Sequence, residues 1–518
     1  MDQASRKIVA HKVKTAQEIA ALIGPRPRAR KVIMCHGTFD IVHPGHVRHL
    51  LYAKSKADIL IASLTADAHI VKANFRPFVP QELRAFNLAA LECVDYVVID
   101  PDPTPIENLG VIQPDYFAKG YEYTKDGLPP RTAAEKEAIE AYGGEILFTP
   151  GDIVYSSSQI IDTEPPMIAT EKLLMLLDAE KLGVDDLRRS LDQVAGLRVH
   201  VIGDIIIDSY THCTMIGGMT KTPTMSVRFE EQQDVVGGAG IVAKHLKSAG
   251  ANVTFSTVLG EDAFAQFTLK DLEAAGVECL PIMDRTRPTT NKNAIIAGGY
   301  RLLKVDRLDN RSIAERIIKD LCERIASTKA DILLFCDFRH GIFNRETIPR
   351  LTAAIPQGVF RVADSQVASR WGNILEFVGF DLITPTEREA RFALGDQDSV
   401  IRPLGLELYR RALCKTLILK LGERGSMTFR AVPQKIEDVR SFFTLDSFAG
   451  QVVDAVGSGD ALLAYAALTL FATKNPVIAS IIGAIAAAKE CEFDGNVPVK
   501  PSDVLAKLDH IERQIHYR

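Results

Sequence analysis

The sequence predicts an α/β protein built from two doubly wound domains. Two separate series of short apolar strands alternate with helical segments, the first beginning at Lys31 and the second at Leu197. Such alternation is typical of parallel sheets that carry helices on both faces. The chain has 518 residues. This length is enough for about two to four domains.

The composition is that of an ordinary globular protein. Hydrophobic residues make up 47% and charged residues 25% of the chain, which argues against a disordered or a membrane protein. The net charge of −5 provides no general positive field, so we expect neither nucleic acid nor a membrane among its partners. The eight cysteines are dispersed without a CxxC pair, and the N-terminus lacks the apolar segment of a signal peptide. We therefore expect reduced thiols and a cytoplasmic location.

The first series of elements predicts an N-terminal domain, residues 1–162. Its strands are predicted at KVIMC, DILIASL, DYVVI and EILFTP, with helices between them. Paired prolines in TEPPMIAT and a charged amphipathic helix pattern follow, so we predict a linker with a helix over residues 163–195. The second series predicts a C-terminal domain, residues 196–518, with strands at VTFSTVLG, DILLFCD, FRVAD, DLITP and TLILKLG.

The segment GTFDIVHPGH stands where the first strand meets a helix, the edge at which parallel sheets bind ligands. Gly37 allows the backbone to approach a phosphate closely, and the helix N-terminus favours anions. His43 and His46 are three residues apart, so both imidazoles project from one face of the first turn. We predict that they stabilise the charge on an attacked α-phosphorus and on departing pyrophosphate. The alternatives are a helix cap and a zinc pair, although no third zinc ligand stands at a suitable spacing.

This segment resembles the GxFDxxHxGH signature of the cytidylyltransferase-like nucleotidyltransferases, which implies that Gly37, Thr38 and Phe39 bind nucleotide. Further segments of the first third of the chain resemble the adenylyltransferase half of the bacterial ADP-heptose synthesis enzymes. That likeness implies phosphate contacts and a loop that closes over the nucleotide. The phosphate contacts are Lys72, Arg76 and Lys119, and the loop contains Ser156, Ser157 and Ser158. The alternative for the three serines is a structural one, an N-cap cluster at the start of the helix that follows them.

A second glycine-rich turn, DAVGSGD, leads directly into the apolar helix ALLAYAALTLFATK. Gly457, Ser458 and Gly459 expose backbone N–H groups at a helix N-terminus, which can cradle a transferring γ-phosphoryl group. Asp460, in the first turn, is placed to accept the proton of an attacking sugar hydroxyl. Phosphoryl transfer depends mainly on positioning and charge neutralisation, so a carboxylate of low pKa is adequate for this role.

This turn resembles the DTxGAGD motif of the ribokinase-like sugar kinases, which implies a ribokinase-like fold with a small β lid. Within that family the heptose 7-phosphate kinases are the most similar, over roughly residues 196–500. The resemblance implies that Asp208 binds sugar hydroxyls beside the paired glycines Gly237 and Gly238. It also implies that Gly422 and Gly425 bind phosphate and that Glu389 organises Mg²⁺ indirectly.

The chain departs from the family pattern at several positions. Ile241 and Thr386 each stand where the family has Asn, and Ala455 replaces a Thr. Tyr300 and Arg301 replace a pair of glutamines of the heptose kinases. These changes put the identity of the substrate in doubt more than they do the catalysis.

Three cations are expected at the substrate side of the lid. Lys292, Arg301 and Lys304 lie in a predicted hairpin whose strands KNAIIAG and YRLLKVD meet at two glycines. Strict alternation places Arg301 and Lys304 on opposite faces, so only one of them would join Lys292 at a substrate phosphate. The other would be a solvated surface charge.

Together the two halves predict a bifunctional transferase that acts on a sugar phosphate and a nucleoside triphosphate. The kinase would make a sugar 1-phosphate, and the nucleotidyltransferase would convert it into a nucleotide sugar. The resemblance implies ADP-heptose synthesis from D-glycero-D-manno-heptose 7-phosphate with ATP and Mg²⁺. We also expect a homodimer. CTP stays open as the nucleotide of the N-terminal half. A related sugar also stays open as the substrate, because the common enzyme of that pathway carries its kinase first in the chain. Two rivals are a polyol-phosphate cytidylyltransferase fused to a polyol kinase, and a kinase half that has decayed into a sugar-binding regulatory module.

Overall fold

The computed structural model describes residues 9–70, 77–120, 130–149, 169–218, 225–367, 373–431, 441–450, 452–493 and 495–516. The chain divides into two compact units, and the main division falls between Lys172 and Leu173. Among the described residues, none of the helices combines the length and the apolar composition needed to cross a bilayer.

The first unit contains a five-stranded parallel sheet in the order β3-β2-β1-β4-β5. Its strands are β1 (Val32–Gly37), β2 (Ile59–Thr65), β3 (Tyr96–Asp100), β4 (Tyr116–Gly120) and β5 (Glu145–Thr149). Four of these strands were predicted. The fifth, β4, is short and ends on a lysine and a glycine, so its sequence carries little strand signal.

Helices cover both faces of this sheet. They are Ala16–Ile23, Pro44–Lys54, Gln81–Ala89, Ile106–Ile112 and Pro130–Glu140. Along β1, Ile33 and Cys35 join one buried cluster while Val32 and Met34 join the other, as strand alternation requires. The predicted doubly wound architecture is therefore confirmed in this half.

The second unit is organised around a nine-stranded sheet in the order β10-β9-β6-β13-β14-β15-β16-β17-β18. Its strands are β6 (Arg198–Gly203), β9 (Asn252–Leu259), β10 (Glu278–Met283), β13 (Ile332–Asp337), β14 (Phe360–Ser365), β15 (Leu382–Ile383), β16 (Thr416–Lys420), β17 (Ser426–Arg430) and β18 (Phe442–Leu445). The pairings are parallel from β10 to β16 and antiparallel from β16 to β18.

Helices again cover both faces of the second sheet, and a large apolar core lies on each. They are Ala239–Ser248, Ala263–Ala274, Glu315–Ser327, Thr347–Ala353, Glu387–Leu394, Ile401–Ala412, Ser458–Thr473, Pro476–Glu490 and Pro501–His516. The helix Ser458–Thr473 is almost wholly buried, which explains why it is apolar on every side.

A separate four-stranded sheet forms the predicted β lid, in the order β12-β11-β7-β8. Its strands are β7 (Ile205–Gly218), β8 (Met225–Gly238), β11 (Asn291–Ala297) and β12 (Tyr300–Arg307). The hairpin of β11 and β12 is confirmed, and both glycines of its turn, Gly298 and Gly299, have positive φ. An irregularity interrupts the pairing of β11 with β12 between Ile295 and Ile296.

Residues 163–195 contain two helices, Ala169–Glu180 and Val184–Asp192. Four leucines on these helices belong to the core of the second unit. They are Leu173, Leu177, Leu187 and Leu191. We therefore propose that the kinase domain begins at the first of these helices rather than at residue 196.

Candidate active sites

The first candidate site lies at the carboxyl end of β1, where the chain turns into the helix Pro44–Lys54. His43 is the N-cap of this helix, and its Nδ1 accepts a hydrogen bond of 3.1 Å from the backbone N–H of Gly45. The Nδ1–H of His46 donates to the carbonyl of Ile41 at 3.1 Å. The two imidazoles stack with their centroids 3.9 Å apart. The two rings therefore lie together as the spacing predicts, and His43 caps the helix.

These bonds determine what the other ring nitrogen of each histidine can do. Because Nδ1 of His43 accepts, its Nε2 carries the hydrogen and can donate to a phosphate oxygen. Because Nδ1 of His46 donates, its Nε2 can donate only when the ring is protonated. The neutral rings are thus held in different tautomers, with the hydrogen on Nε2 in His43 and on Nδ1 in His46.

Two buried charged side chains hold the loop that follows β1. Asp40 is completely buried, and its carboxylate accepts hydrogen bonds from the backbone N–H groups of Phe78 and Val79 at 2.9 and 2.7 Å. Arg84, also completely buried, donates to the carbonyl oxygens of Thr38 and Thr65. Sequence reasoning missed Arg84, which carries no signal because it stands within an ordinary helical pattern.

Phe39 and Gly37 shape the same loop. Phe39 is 4% exposed and adopts a positive φ of 49°, and its ring lies 5.1 Å from that of His46. A Cβ on Gly37 would approach the Phe39 ring to 3.3 Å, which is a tight contact. The glycine therefore lets the aromatic ring pack behind the histidines.

Lys119 lies at the end of β4 and is only 8% exposed. Its Nζ is 2.5 Å from a carboxylate oxygen of Glu135, which is completely buried. An incoming phosphate would therefore meet a lysine that already has an ionic partner. Its predicted phosphate contact stays a prediction.

His36, which the sequence does not single out, lies at the same sheet edge as His43. Its Nδ1 is 2.9 Å from the hydroxyl of Ser63, and its Nε2 is 3.2 Å from that of Thr65. Burial, with the nearby cations Lys119 and Arg131, lowers the pKa of His36 to about 3. His36 is therefore a neutral, hydrogen-bonded part of the floor of this region.

Five of the predicted contacts lie outside the described residues. They are Lys72, Arg76, Ser156, Ser157 and Ser158.

The second candidate site lies at the carboxyl edge of the second sheet. Gly457 caps the helix Ser458–Thr473 in the left-handed region, with φ 89°, and Asp460 stands in its first turn. Burial raises the pKa of Asp460 to about 8, and the neighbouring carboxylates Asp364, Asp208 and Glu389 add to this while Lys420 opposes it. This differs from the expected low-pKa carboxylate, because several acids share one buried region.

Lys420 is the cation of this cluster. Its Nζ lies 2.9 Å from Asp364 Oδ1, and the two side chains are 13% and 6% exposed. A Cβ on Gly459 would stand 3.4 Å from the same Nζ. Asp364 and Lys420 each stand at the end of an apolar strand segment, FRVAD and TLILK respectively. A charged residue in that position is the sequence signal by which they could have been found.

Glu389 and Thr386 form a capping box at the start of the helix Glu387–Leu394. The Glu389 carboxylate accepts from the backbone N–H of Thr386 at 2.7 Å, and the Thr386 hydroxyl accepts from the N–H of Glu389 at 3.3 Å. Thr and Asn both serve as N-caps, so the departure at Thr386 preserves the local structure. Glu389 lies close enough to Lys420 and Asp364 for its pKa to respond to both.

The structure also shows where the predicted glycines Gly422 and Gly425 and the departure at Ile241 lie. Gly422 and Gly425 flank the turn after β16 with φ values of 63° and 82°, and a Cβ on Gly425 would lie 2.0 Å from the carbonyl oxygen of Leu445. Ile241 is completely buried in the helix Ala239–Ser248, so this departure contributes to the core.

Asp208 lies on β7 against the paired glycines. A Cβ on Gly237 would lie 2.2 Å from Asp208 Oδ2, and one on Gly238 would lie 2.7 Å from the carbonyl of Asp204. Only glycine fits at these two positions. Burial raises the pKa of Asp208, and Lys292 and Lys304 oppose that shift, so the carboxylate and these two cations are near neighbours.

The lid cations share one cavity of about 470 Å³. Its lining includes Asp208, Tyr210, Lys292, Arg301 and Lys304. The prediction that Arg301 and Lys304 point to opposite faces is wrong.

The reason is a β-bulge at Leu302. Lys304 pairs with Ala294, and Arg301 pairs with Ile296, so two steps along β11 correspond to three along β12. Because of the extra residue, Arg301 and Lys304 both lie on the same face of the sheet as Lys292. Arg301 also stacks over the ring of Tyr210 on that face, at 5.9 Å.

His340 lies close to the lid cations Lys292 and Lys304. As a single histidine in the sequence it indicated no function. It is 5% exposed, and its Nδ1 is 2.8 Å from Asn310 Oδ1. Asp204 holds the preceding loop by accepting from the backbone N–H groups of Phe338 and His340 at 3.1 and 3.0 Å. Burial lowers the pKa of His340 to about 3, and Lys292 and Lys304 contribute to the shift.

Comparison with known proteins agrees with both predicted domain families. Residues 197–493 match the pfkB family carbohydrate kinases, and residues 34–163 match the cytidylyltransferase-like family. The bifunctional protein HldE of Pelobacter propionicus is 37% identical over 138 residues, which is 26% of this chain and 27% of that protein. HldE of Nitratiruptor sp. is 28% identical over 324 residues, covering 61% of this chain and 64% of that protein.

The chain thus spans from about a quarter to less than two thirds of the length of these relatives. Phosphofructokinase-2 of Escherichia coli in complex with potassium aligns over 61% of this chain and 100% of its own, with 16% identity and a TM-score of 0.51. That likeness shows the fold of the second half. Because the kinase match covers more than half of the 518 residues, the chain belongs to the pfkB family of carbohydrate kinases, with a cytidylyltransferase-like domain preceding the kinase domain.

Proposed function

We propose that the chain phosphorylates a sugar phosphate with ATP and then transfers a nucleotidyl group to the resulting sugar 1-phosphate. The product would be ADP-D-glycero-D-manno-heptose or a close relative, made from the sugar 7-phosphate with release of pyrophosphate. The C-terminal domain would act first and the N-terminal domain second.

One observation carries the kinase half of this proposal. A single cavity is lined by Asp208, which can accept sugar hydroxyls, and by the cations Lys292, Arg301 and Lys304. A phosphate at the distal end of a sugar would meet these cations, and the sugar hydroxyls would meet the carboxylate. Asp208 contributes to the raised pKa of Asp460, which supports placing the proposed base and the proposed sugar-binding carboxylate in one site.

The nucleotidyltransferase half is supported by the stacked pair His43 and His46 at a helix N-terminus. Donors of this kind would stabilise the charge that develops when the sugar phosphate attacks an α-phosphorus. Gly37, Thr38 and Phe39 would hold the nucleotide beside them. The choice between ATP and CTP depends on contacts to the base, and we propose ATP on the likeness to the adenylyltransferases.

Mg²⁺ would assist the kinase by neutralising phosphate charge. Mg²⁺ usually takes one or two protein carboxylates and completes its shell with phosphates and water. Glu389 would hold the ion indirectly, beside Asp364 and Lys420.

The decisive experiment incubates the full chain with ATP and a panel of sugar phosphates, and follows ADP, pyrophosphate and the nucleotide sugar by chromatography and phosphorus NMR. We expect ADP formation with a heptose 7-phosphate, and pyrophosphate only after a sugar 1-phosphate has accumulated or been supplied. Turnover of a polyol phosphate with CTP instead would support the polyol rival. Absence of ADP formation with every sugar, alongside nucleotidyl transfer to supplied sugar 1-phosphate, would support the decayed kinase.

We also propose a homodimer and a cytoplasmic location. Large apolar side chains are exposed at the outer part of the lid, among them Ile216, Met225 and Phe229 at 67%, 59% and 61% exposure. Exposed patches of this kind commonly mark protein contacts. Sedimentation of the full chain tests the dimer.

A further inference from the structure

A buried carboxyl group, Glu490, lies beside the turn that precedes Asp460. Glu490 ends the helix Pro476–Glu490 and is 1% exposed. A Cβ on Gly457 would stand 2.8 Å from Glu490 Oε1. The next residue, Cys491, accepts backbone hydrogen bonds from Val453 and Asp454 at 2.8 and 3.3 Å. The end of this helix is therefore attached to the phosphoryl-binding turn.

Asn496 connects Glu490 to the sugar side of the site. It is 6% exposed, and its Oδ1 lies 2.9 Å from the same Cβ position on Gly457. Its Nδ2 donates to Asp208 Oδ2 at 3.5 Å and lies 3.2 Å from the Cβ position on Gly237. Asn496 therefore fits between the two glycine turns, and larger residues at either glycine would displace it.

The two oxygens that face Gly457 are Glu490 Oε1 and Asn496 Oδ1. Among the described residues, neither oxygen has a hydrogen-bond partner. Two buried acceptors side by side repel each other unless one carries a proton. A protonated carboxyl group supplies one O–H donor, which would satisfy the amide oxygen.

The surroundings of Glu490 favour this proton. No basic side chain pairs with it among the residues described, and the charged groups that face it are the acids Asp454 and Asp460. The backbone N–H of Val497 is its other polar neighbour. Burial, first, and these two acids raise its pKa to about 8.

We propose that Glu490 and Asn496 are a positioning pair for the kinase reaction: the neutral Glu490 carboxyl group donates to Asn496 Oδ1, which directs the Asn496 amide at Asp208 and holds the Gly457 turn in place. This inference rests on the proposed kinase function. In this proposal both residues act through Asp208 and the Gly457 turn, and neither contacts the reacting atoms.

The pair has two consequences. Because Asn496 contacts Asp208 and also lies against Gly457, it couples the sugar-binding carboxylate to the phosphoryl-binding turn. Ionisation of Glu490 would remove the donor and add a negative charge next to Asp460, close to the transferring phosphoryl group. Kinase turnover should therefore decline as the pH rises above the pKa of Glu490.

The test measures kinase kcat and KM from about pH 6 to pH 10 for the full chain and for E490Q, E490A and N496D, with unfolding temperatures for each. E490Q keeps a donor and cannot ionise, so it should retain most of the kcat near neutral pH and lose the alkaline decline. E490A should lose about tenfold or more in kcat, with a smaller change in KM, because loss of position at a distance affects turnover. N496D should be impaired at all pH values, since its carboxylate would face Asp208 and Glu490.

Glu492 provides the matched control, because it lies two residues away and already pairs with Lys489 and Lys507 at 2.6 and 2.7 Å. E492Q should keep the wild-type pH profile. An alkaline decline that persists in E490Q, or full activity of a folded E490A, would overturn the positioning pair while leaving the kinase assignment intact. If the wild-type chain phosphorylates no sugar, the kinase function fails first and the pair fails with it.

Discussion

Lys420 and Asp364 form a buried ion pair of 2.9 Å directly beneath the turn that presents Asp460. The same ammonium group affects the charge of Glu389 and of Asp460. One lysine thus balances three carboxylates, one from a strand end and two from the first turns of helices. Its position near Gly459 also places a positive charge where the transferring phosphoryl group is expected.

We predict that Lys420→Met lowers both stability and kinase turnover. Removing one partner of a buried ion pair leaves the other charge uncompensated, which costs about 3–5 kcal/mol. Chemical denaturation measures the stability, and a coupled ADP assay measures the turnover. Lys415→Met is the control, because Lys415 is 75% exposed and pairs with Asp381. Equal stability of the two variants would show that Lys420 does not balance the cluster.

Asp460 must be ionised to accept a proton, so its raised pKa has a direct kinetic consequence. Below about pH 8, most of the carboxyl group is protonated, and kinase kcat/KM should fall by about tenfold for each further pH unit. A profile that stays level down to about pH 6 would place the pKa of Asp460 in the ordinary range.

Asp460→Asn is the companion variant of that profile. It should abolish phosphorylation while nucleotidyl transfer to a supplied sugar 1-phosphate continues, because the two sites belong to separate sheets. Loss of both activities in a folded variant would contradict separate sites.

For the N-terminal domain, we predict that His43→Ala or His46→Ala lowers nucleotidyl transfer by about 10²-fold, the scale for one preorganised donor. His43→Asn offers a sharper comparison, since an amide can still cap the helix but does not reproduce the Nε2 donor. Helicity and unfolding temperature should therefore survive in His43→Asn while activity falls. An unaffected transfer rate would return both histidines to a purely structural role.

The shared face of the lid cations makes a specific prediction about affinity. Single Ala variants of Lys292, Arg301 and Lys304 should each raise KM for the phosphorylated sugar about ten- to a hundred-fold, as expected for a charged hydrogen bond of about 1.5–3 kcal/mol. The unphosphorylated analogue should be affected much less. Arg307→Ala, on the same strand outside the cavity lining, is the control. Equal effects on both sugars would exclude phosphate recognition and with it the heptose 7-phosphate.

The boundary of the kinase domain can be tested by truncation. A chain that begins at Glu171 keeps Leu173 and Leu177, whereas one that begins at residue 196 loses them together with Leu187 and Leu191. We expect the first to be soluble and active as a kinase and the second to be unstable, because the lost leucines leave apolar core surface exposed. Expression and calorimetry compare them. Equal stability of the two truncated chains would instead support the predicted linker over residues 163–195.

Much of the candidate site could be predicted because its residues are adjacent in the chain. Gly457, Gly459 and Asp460 occur in one turn, and His43 and His46 in another, so strand-to-helix patterning and short spacings are enough to find them. Lys420, Asp364 and Arg84 contribute through contacts between distant segments. A charge at a strand end marks Lys420 and Asp364, but no local pattern shows that they pair, and none marks Arg84. The position of Arg301 depended on a bulge, which inserts one residue without any distinctive sequence.

The sequence by itself determined the two α/β domains, their order and the two glycine-containing turns of the candidate sites, because strand period, helix period and glycine placement are local properties of the chain. Only the tertiary structure decided which charged side chains lie next to one another. It brings Asp208, Lys292 and Lys304 into one cavity and gathers Lys420 with three carboxylates. It also buries Glu490 next to Asn496. The free energy of a charge depends on burial and on its neighbours within a few ångströms, and neither quantity exists until the strands have paired.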